Sequence, residues 1–111
     1  MEFVFLTEHK PVKWICTLKV PVDGKHEART LTAWFHVLGQ DRIDAVVAGP
    51  ILTANDRLLD ACLDRLELKD ENGAVIPWTD AVREAALRIP YLRDGVIAAF
   101  FEMLGRRLPG N

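Results

Sequence analysis

The sequence predicts an α+β fold: an N-terminal antiparallel hairpin or three-stranded sheet, then about four helices, the last strongly apolar. Three patterns predict it. Apolar residues alternate from Lys13 to Val20 and again from Thr30 to Val37, the period of a half-buried strand. Beyond Gly39 they recur at three- and four-residue intervals, the period of a helix. The run Val96-Ile97-Ala98-Ala99-Phe100-Phe101-Glu102-Met103-Leu104 then carries more apolar surface than one small core should need.

Taken in order, residues 2–7 are aromatic and β-branched and read as a third strand, ended by Pro11. In the next strand Trp14, Cys16, Leu18 and Val20 share one face, with Thr17 and Lys19 opposite. Asp23-Gly24 supplies the turn, in a loop expected to be longer than minimal. Leu31, Ala33, Phe35 and Val37 then face one way, and Thr30, Thr32, Trp34 and His36 the other. Asp41 reads as the cap of a helix to about Ala48, with Ile43, Val46 and Val47 inward and Gly49-Pro50 ending it.

Thr53-Ala54-Asn55-Asp56 resembles a capping box with Asp in place of Glu or Gln. The helix it opens places Leu58, Leu59, Cys62, Leu63 and Leu66 on one face and Arg57, Asp60, Asp64 and Arg65 on the other. Asp70-Glu71-Asn72-Gly73 is a turn whose flanks form a minor hairpin at 66–77. Thr79 caps a helix that buries Val82, Ala85, Ala86 and Ile89, and Pro90 opens the last helix.

At 111 residues the chain fits one domain, 1–111, β-rich over 1–38 and mainly helical over 40–111. Half of the residues are hydrophobic, which excludes disorder by composition. A net charge of −2, with both signs scattered, gives no electrostatic footprint for nucleic acid or an anionic membrane. The start, Met1-Glu2-Phe3-Val4-Phe5-Leu6, is acidic with a short apolar run, so no secretion signal is expected. No apolar stretch approaches the roughly 20 residues of a membrane span. Cys16 and Cys62 lie on apolar faces and read as buried thiols of a reducing compartment. A cytoplasmic protein is the expectation.

The chemistry-bearing residues do not converge. The glycines are isolated and form no phosphate loop, and Asp70, Asn72 and Gly73 lack the other ligands of a calcium loop. His9, His26 and His36 have no metal-ligand spacing to one another or to the cysteines. Cys16 and His36 fall on opposite faces of the hairpin, which argues against a nucleophilic pair. Arg106-Arg107 complement the negative end of the last helix. No catalytic residue, cofactor or metal is expected; the remaining candidate is a protein-binding surface. At about 100° per residue the apolar positions of the last helix span roughly 200°, about twice what one-sided packing needs. Leu92, Val96, Ile97, Phe100, Phe101, Met103 and Leu104 are therefore the candidate oligomerisation and partner-binding residues, with core and interface faces both open.

The landmarks also come in a recognisable order. Trp14 leads to Val20-Pro21-Val22-Asp23-Gly24-Lys25, then Leu31-Thr32-Ala33-Trp34-Phe35 and Leu58-Leu59. Leu68-Lys69-Asp70-Glu71-Asn72-Gly73 precedes Ile76-Pro77-Trp78-Thr79, and Ile89-Pro90-Tyr91 precedes Ala98-Ala99-Phe100-Phe101-Glu102. Over nearly its whole length the chain resembles the small tail assembly chaperones of long-tailed bacteriophages. One departure is Arg65-Leu66-Glu67, where that family has a tryptophan before the turn. The resemblance implies a cytoplasmic host-cell protein, absent from the mature virion, that holds the tape measure protein soluble and recruits tail tube subunits. It further implies self-association, no cofactor, and an extended form, made by ribosomal frameshifting, that contacts the tube protein. One codon choice for Pro109-Gly110-Asn111 contains a slippery heptamer; many others do not. Two rivals stay open: a tail or connector subunit retained in the virion, and a small oligomerising cytosolic adaptor.

Overall fold

The computed structural model describes residues 1–106. Strand β1 (Val12–Val22) and strand β2 (Lys25–Phe35) form a long antiparallel hairpin. Helix α1 (Gln40–Ala48), a short 3-10 turn (Ile51–Thr53) and helix α2 (Ala54–Cys62) follow. The chain then returns to the sheet as β3 (Leu63–Lys69) and β4 (Val75–Ile76) before helices α3 (Asp80–Leu87) and α4 (Pro90–Met103). The architecture is α+β: a four-stranded antiparallel sheet in the order β1-β2-β3-β4 with the helices packed on one face.

The alternation of the hairpin is realised. Cys16, Leu18, Ala33 and Phe35 are buried against the helices, while Thr17, Lys19 and Thr30 face solvent. The loop is minimal, with Val22 opposite Lys25, because Gly24 takes φ +73°, a conformation closed to most side chains. Asp70 closes the second hairpin by accepting from the backbone N–H groups of Asn72 (2.9 Å) and Ala74 (3.0 Å). Thr79 caps α3, its hydroxyl accepting from the Val82 N–H at 3.2 Å.

Several expectations are corrected. Residues 2–7 form no strand; Phe3, Val4, Phe5 and Leu6 stand in solvent, since strand composition alone does not make a strand and the segment pairs with no strand among the described residues. Helix α2 stops at Cys62, and Leu63 and Leu66 belong to β3. Their helix-like spacing arises from a β-bulge: Trp34 faces Arg65 but Phe35 faces Leu63, so the extra residue, Asp64, lets both leucines reach the core. Asp41 lies inside the first turn of α1, and the cap position falls to Gly39. Thr53 makes no side-chain cap on α2; its hydroxyl accepts instead from Arg57.

Val47 is exposed, since the short α1 meets α2 along a narrow stripe that Ile43 and Val46 already fill. Val37 lies past the end of β2 and is also exposed. In α3, Ala86 and Leu87 face inward, with Val82 half-buried and Ala85 exposed. Ile89 leaves the helix path (φ −82°, ψ 113°) because a residue preceding proline avoids the helical region. Arg57, expected on a solvated face, folds back to donate to the carbonyls of Val46 (2.8 Å) and Pro50 (2.9 Å), satisfying the open end of α1.

Candidate protein-interaction surface

Helix α4 holds all the candidate binding residues but Leu104, which caps its end, and begins with Pro90 at the position where a missing N–H costs nothing. It lies against β1, and its closest approach is at Gly95: a Cβ there would sit 2.5 Å from Leu18 Cδ2 and 3.2 Å from the Thr17 carbonyl oxygen. Glycine thus sets the distance between helix and strand. That approach buries Leu92, Val96, Ile97, Ala99 and Phe100. The Phe100 ring meets Phe35 edge-on, 5.6 Å between centroids, which joins the helix to the middle of the sheet.

Of the residues singled out from the sequence, Leu92, Val96, Ile97 and Phe100 are therefore covered by the molecule's own core. Phe101, Met103 and Leu104 are half-buried at its border, Phe101 edge-on to Phe100 at 5.5 Å. Arg106 donates to Gln40, tying the end of α4 to the start of α1. Arg107 and the Pro109-Gly110-Asn111 segment lie outside the described residues.

The largest exposed apolar side chains lie elsewhere. Phe3 is 86 % exposed and Phe5 78 %; Ile51 and Leu52, on the turn between α1 and α2, are 87 % and 94 % exposed. On the open face of the sheet, Ile15 is exposed and the Arg65 guanidinium stacks 3.8 Å above the Trp34 ring. Strand composition was the one signal available for residues 3–6, and it pointed to a sheet position. Ile51 and Leu52 follow Gly49-Pro50, a breaker that marks a surface connection, and that signal was sufficient.

Two grooves flank α4. One, of about 470 Å³, lies between α2, α3 and α4 and is crossed by ion pairs of Arg83 with Asp60 (3.0 Å) and Arg93 with Asp56 (2.6 Å). The other, of about 730 Å³, lies where α4 meets the hairpin and is lined by Thr17, Lys19, His26, Tyr91, Asp94, Gly95 and Ala98. Burial, with a smaller contribution from Glu102, pushes the Cys16 thiol up to about 12; burial does the same to Cys62. Both are inert core thiols, and the exposed His36 side chain lies beside Asp64 at 3.4 Å. Among the described residues no group of three or more His, Cys, Asp or Glu side chains is arranged to hold a metal ion, and no helix is long and apolar enough to cross a membrane. In comparisons with known proteins, no family model, curated protein or solved structure matches the chain.

Proposed function

We propose that this protein is a tail assembly chaperone of a long-tailed bacteriophage or prophage, which binds and solubilises the tape measure protein and helps recruit tail tube subunits. The observation that carries the reading is the ordered series of landmarks from Trp14 to Glu102, to which it gives one common explanation. A client of this kind is a long apolar helical chain that aggregates when unpartnered. A chaperone for it needs a stable small body with apolar surface left over, and groove or face binding of a client helix uses anchors at helical spacing. Phe101, Met103 and Leu104, half-buried at the border of the core, supply that surface on α4. The buried Leu92, Val96, Ile97 and Phe100 support it from beneath.

The protein acts in the host cytoplasm, without a cofactor, and leaves before the virion is complete. The test is co-expression with the tape measure protein encoded nearest downstream. The chaperone should convert that protein from aggregate to soluble complex, and Phe101→Asp should abolish the effect while the circular dichroism spectrum is unchanged. A tape measure protein that stays insoluble beside the wild-type chain refutes the proposal. Purified virions containing the chain would favour the retained tail subunit instead.

A further inference from the structure

Strand alternation sorts charges that look scattered along the sequence. Cys16, Leu18, Ala33, Phe35 and Leu66 point to the helical side of the sheet, so the positions between them point to the open face. The register sets these out in rows: Lys13 beside Trp34 beside Arg65, then Ile15 beside Thr32 beside Glu67. Lys19 follows along β1 and Lys69 along β3 on the same face. Lys13, Lys19, Arg65 and Lys69 are all exposed, in a chain whose net charge is −2. Glu67 is the acidic residue among them; Asp64, at the bulge, lies against His36, and Asp94 stands across the groove from Lys19. None of the four basic side chains makes an ion pair among the described residues, whereas Lys25, Arg29, Arg83, Arg88 and Arg93 each pair with a carboxylate. Their positive charge is left for a partner.

Two features say what that partner is. The Arg65 guanidinium stacks on the Trp34 ring at 3.8 Å, and because Arg65 is exposed its outer side is open. Guanidinium and indole planes are the surfaces on which unpaired bases stack. About 20 Å along β1 from Lys13, the face runs into the groove where Lys19 and His26 meet Tyr91 of α4. Between these ends Thr17, Thr30 and Thr32 present short side chains with hydroxyl groups. We propose that the open face of the sheet binds single-stranded nucleic acid, one base stacking on the Arg65–Trp34 pair and the phosphates following Lys13, Lys19 and Lys69. A duplex fits the face less well, because its bases are stacked on one another and closed to Arg65. This inference is independent of the chaperone reading.

The test is fluorescence anisotropy of short labelled oligo(U) and oligo(dT) strands titrated with the full chain at low salt. Both should bind, and affinity should fall as salt rises, since phosphate contacts release counterions. Lys13→Glu/Lys19→Glu and Arg65→Ala should each weaken binding by about tenfold, with unchanged circular dichroism spectra. Arg42→Glu/Arg88→Glu, the same change in net charge at exposed positions on the helical side, should leave it unaltered. A wild type that binds neither strand, an Arg65→Ala chain that binds as tightly, or equal affinity for a duplex of the same length overturns the proposal. So does a helical-side variant weakened as much as the sheet variant, which would show net charge alone at work. Loss of tape measure solubilisation in the Arg65→Ala chain, with no oligonucleotide bound by the wild type, would assign the face to a protein partner instead.

Discussion

Residues 3–6 and residues 96–101 are both dense apolar runs, and the fold treats them oppositely. Phe3, Val4, Phe5 and Leu6 stand in solvent; Val96, Ile97, Ala99 and Phe100 are buried. Apolarity does not separate them. What separates them is a backbone partner and a surface to pack on. Helix α4 satisfies its own backbone, so it needs only a face to cover, and Gly95 lets it approach β1 closely enough to find one. An extended segment cannot satisfy its own backbone, so its side chains gain nothing until another strand edge is available.

The first way to break this comparison is to remove the contact that makes α4 core. Phe100→Ala deletes a fully buried ring packed on Phe35 and should cost about 3–5 kcal/mol in urea denaturation. A loss under ~1 kcal/mol would mean the helix is not held by that face. Gly95→Ala should cost about 1–3 kcal/mol, because the new methyl group collides with Leu18 and the Thr17 carbonyl.

The buried thiols give a pH test of the same packing. Their folded values are raised above the ordinary thiol value of 9.0, so the unfolded chain loses its protons first and stability falls as pH rises from about 9 toward about 12. At pH 10 each thiol should cost about 1 kcal/mol relative to pH 8. A Cys16→Ala/Cys62→Ala chain, less stable at pH 8, should show a shallower decline. Thr79→Ala, which removes the cap of α3, should cost about 1 kcal/mol. The smallest effect belongs to residues 2–7: Phe3→Ser, at an exposed side chain, should change stability by less than ~0.5 kcal/mol.

The sequence made the long hairpin, the Thr79 cap and the start of the last helix at Pro90 legible, because each depends on local period or turn chemistry. It misread Leu63 and Leu66, since a bulge at Asp64 gives a strand the three-residue spacing of a helix. It misread Arg57, whose reach to the Val46 carbonyl depends on how α1 and α2 meet. The candidate surface was legible as a helix but not as a face. Which part of a 200° apolar arc becomes core depends on where β1 and Phe35 lie, and no local pattern encodes that.

Amide hydrogen exchange, read along one chain at a dilution where light scattering reports monomer, tests the contrast most directly. The amides of Val96 to Phe100 should exchange only through global unfolding, while those of residues 2–7 exchange at the rate of an unstructured peptide. Strong protection of residues 2–7 in the monomer would contradict the account and make them a strand of their own sheet. Rapid exchange across Val96 to Phe100 would equally contradict it.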